Sequence, residues 1–349
     1  MFMPIWQRHD TPIAEPAPDL PFDTLYHAFK AAGETTRLRI LALLAETELT
    51  VSDLTEILRQ SQPRVSRHLK LLTEAGLVAR SPEGSWAFFR LADTGPGARV
   101  IRGALAELDS TDPTIAHDRL RLSAVRADRA KSAQEYFARH AADWDRIRRL
   151  HVADRRIEQS IITALSGQPY RSVLDLGTGT GRMLELLGPR IERGLGFDQS
   201  LEMLAIARAN LDRAGLRHCR VRQGDLYSLG LPRNTFDVVV IHQVLHLLDD
   251  AAGAIREAAS VLRPRGRLVV VDFAPHDQEF LRIDHAHRRL GFANETIRQW
   301  MDTAGLDLIT TESLTPEADS TAKIAISLWV GRDRRLEAAD ELTYQEAVA

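Results

Sequence analysis

Apolar positions along this chain change their period twice. Between Phe22 and about Leu91 they recur at helical spacing in short blocks, until LVARSPEGSWAFFRL, where the Glu83-Gly84 pair between two strand-like runs predicts a hairpin. Val100, Ile101, Ala104, Leu105 and Leu108 then form one stripe at helical spacing. Beyond Pro113, residues 115–150 contain neither proline nor glycine and are rich in Ala, Arg, Leu and Asp, which predicts long helices. From Ser172 the period shifts to β-type runs, VLDL, GLGF, VVVI and RLVVVDF, alternating with helical segments. Such alternation predicts an α/β fold, a mostly parallel sheet with helices on both faces. Residues 1–20 carry four prolines and no period, and read as a disordered arm. The boundaries that follow are an arm over 1–20, a first domain over 21–110, a helical linker and cap over 111–150, an α/β domain over 151–332 and a tail over 333–349.

Composition narrows this picture. A chain of 349 residues exceeds one ordinary core, and 44% hydrophobic with 27% charged residues is usual for globular domains that need no staples. The net charge is −3, and residues 21–110 balance acid and base, so any nucleic-acid surface must be a local cluster. Cys219 is the only cysteine, which excludes internal disulfides and multi-thiolate metal sites. The N-terminal stretch lacks the apolar core of a signal peptide, and no run of about 18 apolar residues occurs, so the expectation is a cytoplasmic protein without membrane contact.

The segment TVSDLTEILRQSQPRVSRHLKLLTEAGLV divides into two helices and a turn. Thr50 with Asp53 has capping-box form, and Ser61 with Pro63 opens the second helix. On that helix Val65, Leu69 and Leu72 share one narrow arc, while the opposite face carries Pro63, Arg67 and Lys70, flanked by Arg64 and Ser66, with Gln62 at the N-terminus. A charged face alone is as readily a solvated one. The short turn before it and the hairpin with Arg80 and Arg90 after it make a winged helix-turn-helix, in which Gln62, Arg64, Ser66 and His68 reach base edges or phosphates and Arg67, Lys70 and Arg80 contact phosphates. From Phe29 to Val78 the chain resembles the ArsR family of dimeric bacterial repressors. The resemblance implies a double-stranded DNA operator and a homodimer built from the first helix near Leu25–Lys30 and the Val100–Leu108 stripe. Metal-sensing members place cysteines in the segment that here reads ELTVSDL, Glu48–Leu54, and a second family metal site uses histidines of the dimer helix. Neither is matched, since residues 97–110 lack histidine, so the expectation is no metal.

VLDLGTGTGRM places three glycines at alternate positions after an apolar run. A dinucleotide fingerprint is not met, because the sixth position is Arg182 counted from Gly177 and Leu184 counted from Gly179, and no G-K-[ST] follows. The pattern resembles motif I of class I S-adenosylmethionine methyltransferases, a Rossmann-like fold, over about residues 136–332. The resemblance implies that Gly177, Gly179 and Gly181 let the backbone approach the cofactor and that Asp175 meets its ammonium. It further implies that Asp198, 21 residues beyond Gly177, accepts the ribose hydroxyls, and that Asp225 meets the adenine amino group, with Leu226 and Met203 on the ring faces. FDVVVIHQVLHLL resembles motif IV, which puts His242 beside the cofactor, and IAISLWVGRD the late antiparallel strand of that fold.

Methyl transfer from a sulfonium asks the protein to position an acceptor and remove its proton. Candidate bases are His242 and His246, with Asp284, His285 and His287 of RIDHAHRRLGF as a second set or a polar helix face. Tyr136, Phe137 and Trp144 read as a cap over the donor or as packing aromatics. Arsenite methylation, which uses several thiolates, does not suit a chain with Cys219 alone. Two functions fit: a DNA-binding regulator sensing S-adenosylmethionine or S-adenosylhomocysteine to control methionine-cycle or one-carbon genes, or an active methyltransferase of a small-molecule acceptor that represses its own pathway.

Overall fold

The computed structural model describes residues 20–83, 86–92, 94–140, 154–316 and 324–335. The expected arm, most of the tail, Trp144 and the side chain of Phe137 lie outside the described residues. The chain divides into two units: Met1–Arg80 with Phe89–Arg119, and Ser81–Phe88 with Leu120–Ala349. Among the described residues, no helix is long and apolar enough to cross a membrane.

The first unit holds helices α1 (Phe22–Ala32), α2 (Thr35–Glu46), α3 (Val51–Leu58), α4 (Gln62–Glu74) and α5 (Pro96–Ala106). It also holds the short β1 (Leu49–Thr50) and the outer ends of the hairpin strands β2 (Val78–Glu83) and β3 (Trp86–Leu91), in the sheet order β1-β3-β2. Thr50 and Asp53 form the capping box of α3, each side chain accepting the other's backbone N–H, at 3.2 and 2.9 Å. Val65, Leu69 and Leu72 of α4 are buried against a core that includes Ile40, Leu41, Leu54 and Ile57. The α5 stripe is less buried than its period suggests. Ile101 is covered, but Ala104 and Leu108 are exposed, and the helix ends at Ala106, before Leu108.

A long helix, α6 (Pro113–His140), crosses the division between the units. In the first unit, Asp118 takes a two-pronged ion pair from Arg39 at 2.7 and 2.6 Å. In the second unit, Arg129 of the same helix pairs with Asp249 at 3.3 Å, and the Tyr136 hydroxyl meets His285 Nδ1 at 2.7 Å.

The second unit is built on a seven-stranded sheet: β4 (Ser172–Leu176), β5 (Arg193–Asp198), β6 (Cys219–Gln223), β7 (Phe236–His242), β8 (Leu262–Phe273), β9 (Leu306–Leu314) and β10 (Ile326–Asp333), in the order β6-β5-β4-β7-β8-β10-β9. The pairs β6-β5-β4-β7-β8 are parallel, and β10 is antiparallel to both β8 and β9. Alternate residues of one strand enter opposite cores, as the two-residue period requires. Leu174, Val239, Ile241, Leu268 and Val270 pack on one side with Ala254, Ile255, Ile297 and Met301, from α10 (Ala251–Ser260) and α12 (Asn294–Thr303). Val173, Val238, Val240, Val269 and Val271 pack on the other with Ile157, Ile161 and Leu165 of α7 (Asp154–Leu165) and with Met183 and Leu187 of α8 (Arg182–Leu187). Between β5 and β6 runs α9 (Leu201–Arg213), and α11 (Phe280–Asp284) follows β8.

The hairpin residues Ser81–Phe88 belong to this second unit. Glu83 accepts from the guanidinium groups of Arg282 and Arg289, at 2.8 and 3.3 Å, and from the Leu290 backbone N–H. Arg282 lies 4.6 Å from the Trp86 ring centroid and Arg289 3.6 Å from that of Phe88.

The Arg39–Asp118 pair supplies a stability test, because Asp118 is nearly fully buried and its removal strands a cation. Asp118→Ala should lower unfolding free energy by about 1–3 kcal/mol. Urea titrations of Asp118→Ala, Arg39→Ala and the double variant measure this, and additive effects would show that the pair contributes nothing.

Candidate functional site

The α4 helix presents Gln62, Arg64, Ser66, Arg67 and Lys70 to solvent, and Arg80 is likewise exposed on β2. Pro63 lies in the first turn, where its missing N–H would have no partner anyway. His68 departs from the sequence expectation. Its ring is only 12% exposed and lies 3.7 Å from Glu34, just outside α2, because position 68 falls beside the buried Val65–Leu72 seam. Burial lowers its pKa, with Glu34 opposing that shift. His68 is thus less open to solvent than the other six candidates, each of which is exposed.

In the second unit the strand order reverses at β4, with β5 on one side and β7 on the other, which opens a crevice at the carboxyl ends of these strands. Three glycines turn the chain from β4 into α8: Gly177, Gly179 and Gly181 have φ of 72°, 51° and 86°. At Gly177 a side chain is excluded twice, by the left-handed backbone and by the Val244 side chain, which a methyl group would strike. The loop amides are already engaged. Gly177 and Thr178 N–H both donate to the Phe197 carbonyl at 2.8 Å, Gly179 N–H donates to Asp198 Oδ2 at 2.8 Å, and Gly181 N–H donates to the Thr178 carbonyl at 2.8 Å. A phosphate cradle needs such N–H groups free. The loop instead offers bare Cα surface to a ligand that must come close.

Asp175 is fully buried at the end of β4 and accepts from the Thr178 hydroxyl at 2.6 Å. Asp198 ends β5 and is half-buried, each carboxylate oxygen taking one backbone N–H, from Gly179 and from Ser200. Desolvation raises its pKa, while the N–H groups of Ser200, Gly179 and Gln199 oppose the rise. Each oxygen keeps a further lone pair for a ligand. Met203 of α9 and Leu226 are buried side chains, and Asp225 sits exposed in the turn after β6, accepting from Tyr227 N–H at 3.0 Å.

His242 ends β7, and His246 lies in the short 3-10 turn Leu245–Leu247 that follows Val244. His246 Nδ1 is 2.8 Å from Asp272 Oδ1, and Asp272 also accepts the N–H of Phe273 at 2.8 Å. The His287 and Phe273 rings pack on His246 with centroids 4.2 and 4.8 Å away. His276 flanks the group, its pKa pushed down to about 4 by burial. The two candidate base sets thus share one place in part, since His287 joins His246, while His285 faces Tyr136. Asp272 was not among the sequence candidates, although a carboxylate closing the apolar run RLVVVDF was a visible signal. Among the described residues, no group of three or more His, Cys, Asp or Glu is arranged to hold a metal ion.

Comparison with known proteins agrees with both units. Residues 34–80 match the model of the bacterial regulatory proteins of the arsR family, and residues 174–270 match that of a methyltransferase domain. The arsenic resistance transcriptional regulator ArsR1 of Pseudomonas putida is 37% identical over 98 residues, which make up 27% of this chain and 74% of that protein. The chain belongs to the arsR family. To this arsR-type region it adds a methyltransferase domain, which is similar to the uncharacterized methyltransferase YcgJ of Bacillus subtilis, at 33% identity over 33% of this chain and 47% of YcgJ. It is also similar to an arsenite methyltransferase of Aquipseudomonas alcaligenes, at 39% identity over 29% of this chain and 32% of that enzyme. The chain spans less than half the length of the first curated relatives it matches.

The geometry of the glycine loop is open to direct test. Gly177→Ala should cost about 1–3 kcal/mol of stability, read as a lowered urea midpoint. Adding Val244→Ala should recover only the steric part, and full recovery would show that the left-handed backbone is not a constraint.

Proposed function

We propose that this arsR-family chain is a DNA-binding transcriptional regulator whose methyltransferase domain binds S-adenosylmethionine or S-adenosylhomocysteine and passes that state to operator affinity, for control of methionine-cycle or one-carbon genes. The observation that carries the reading is one chain with both an exposed basic recognition helix and a glycine loop closed to phosphate, set beside the Asp198 carboxylate. Asp198 would accept the ribose hydroxyls and Asp175 would meet the ammonium. Gly177, Gly179 and Gly181 would border the methionine portion, with Met203, Asp225 and Leu226 around the adenine and His242 lining the site. When bound, S-adenosylmethionine supplies a methyl group activated on a sulfonium.

A homodimer is part of the reading. Phe22, Tyr26 and Phe29 lie along one face of α1 at 79%, 49% and 49% exposure, with the Phe22 and Tyr26 rings stacked. Apolar rings at that spacing on a solvent face suit a second copy of the chain. The cytoplasm is the compartment in which such a regulator meets its operator.

The buried His246–Asp272 pair favours a second reading, an active small-molecule methyltransferase with an autoregulatory DNA-binding domain. Arsenite is not the acceptor we assign. Cys219 is buried, and its thiol is pushed up to about 11 by burial, so it offers little thiolate.

DNA titration with and without each ligand tests the sensor. One of the two should shift operator affinity several-fold more than the other, and a tenfold shift requires only about 1.4 kcal/mol of coupling. Asp198→Ala should lose about 1–3 kcal/mol of ligand affinity, abolish the shift and leave ligand-free DNA binding intact. If neither ligand moves the titration while methyl transfer proceeds, the sensor reading fails and the enzyme reading stands. Because desolvation raises the Asp198 carboxyl, calorimetric affinity should fall on acidification already above the ordinary aspartate value of 3.8, and Asp198→Asn should flatten that fall.

The DNA surface has its own test. Arg67→Ala or Lys70→Ala should weaken operator binding and reduce the slope of log affinity against log salt by about one unit per lost phosphate contact. An unchanged salt series would remove these residues from the interface. Footprinting should show two half-sites about one helical turn apart.

A further inference from the structure

We infer that Asp272 is a positioning residue that fixes His246 as the proton acceptor of methyl transfer, and that the methyl acceptor is a small molecule presenting a hydroxyl or N–H that must lose its proton. The inference rests on the reading that the methyltransferase domain turns over.

A carboxylate only accepts hydrogen bonds, so the 2.8 Å contact from His246 Nδ1 to Asp272 Oδ1 places the imidazole proton on Nδ1 and leaves a lone pair on Nε2. The ring is held from several directions. The His246 N–H reaches Asp272 Oδ2 at 3.3 Å, and the His246 carbonyl accepts from Arg288 and Arg289 N–H at 2.8 and 2.9 Å. Phe273 and His287 enclose its faces. Asp272 has no exposed side-chain surface. Phe273 N–H binds Oδ1 and His246 N–H binds Oδ2, so an asparagine, with one acceptor oxygen, would not serve both. The carboxylate also stabilises an imidazolium when one forms. The position is also apt, because Val244, two residues before His246, packs on Gly177 of the glycine loop.

In the step that follows, the acceptor's oxygen or nitrogen lone pair forms a bond to the methyl carbon, and the carbon–sulfur bonding pair withdraws onto sulfur, which becomes a neutral thioether. The acceptor's proton passes to His246 Nε2. The positive charge lost at sulfur reappears on the imidazolium, facing Asp272. The titratable groups against His246 are Asp272 on β8 and His276 and His287 in the segment after it. Burial keeps His276 neutral at physiological pH, so it adds no competing charge.

The test uses the full chain with ¹⁵N-labelled histidine. His246 should show the Nδ1–H tautomer, and Asp272→Asn, which leaves one acceptor oxygen and places an amide NH2 among these donors, should admit the Nε2–H tautomer. An Nε2–H tautomer in the wild type, or an Nδ1–H tautomer unmoved by Asp272→Asn, overturns the positioning role. Methyl transfer from radiolabelled S-adenosylmethionine is then measured against phenols, primary amines and thiols. Transfer to a phenol or amine, with kcat at least tenfold lower in Asp272→Asn and His246→Gln at unchanged calorimetric cofactor affinity, supports the inference. Transfer to thiols alone, or a kcat unmoved by either variant, overturns it. No transfer at all, with the tautomer as expected, overturns the turnover reading on which the inference rests.

Discussion

The chain must reverse from β4 into α8 through a handful of residues, and that reversal is possible only because three of them are glycines in left-handed conformations. The amides of Gly177 and Gly179 are fastened to the end of β5, through the Phe197 carbonyl and the Asp198 carboxylate, and that of Gly181 to the Thr178 carbonyl within the loop, so the loop is a rigid rim and not a flexible cover. Much else at the crevice is referred to that rim. Asp198 is oriented by Gly179, Val244 rests on Gly177, and the turn that carries His246 leaves from Val244. A loop with free amides would bind anions, and with its amides spent it offers a close, uncharged approach to the strand ends beside two carboxylates.

The two units solve different presentation problems. In the first, an amphipathic helix buries three aliphatic side chains and thereby presents five polar or basic groups of α4 to solvent, with Arg80 exposed on β2. In the second, polar groups are buried and need partners, such as the donors on Asp237 and Asp272. The long helix α6 is tied by salt links within each unit, through Asp118 in one and Arg129 in the other.

Periodicity was enough to read four of the five parallel strands, because a central strand buried on both faces is a nearly continuous apolar run, and VLDL, GLGF, VVVI and RLVVVDF are broken only by Asp175, Arg267 and Asp272, whereas β6, CRVRQ, is polar. The edge strand β9 was not read. Between its buried end leucines LDLITTESL alternates exposed and partly buried residues, with Asp307, Ile309, Thr311 and Ser313 on the open side, and a polar edge of this kind pairs because β10 offers it a partner. The capping box of α3 was legible because it is a contact between residues three apart. The partial burial of His68 beside Glu34 was not legible, because its neighbours on α4 do not reveal what lies beside α2, and that is a tertiary fact. The carboxylates of the glycine-loop crevice were legible from spacing, whereas the partnership of His246 with Asp272 joins residues from different elements and needs the β7–β8 pairing to bring them together.

The buried carboxylates of this chain separate by what satisfies them. Asp53 is a cap, and its work is done within its own turn. Asp237 accepts from Arg171 and Ser172 N–H, the Ser172 hydroxyl and Arg263, and backbone and side-chain donors together hold its carboxyl below the ordinary range against the desolvation that would raise it. It is a joint between strands, complete as it stands. Asp198 differs, because its donors are too few to offset its desolvation and its pKa is raised. A carboxylate in that condition at the mouth of a crevice is a candidate for donors that arrive with a ligand. Asp272 differs again, since one of its partners is an imidazole that can itself change charge. By this criterion Asp237 joins strands, whereas Asp198 and Asp272 are the carboxylates to which the proposed ligand and proton roles fall.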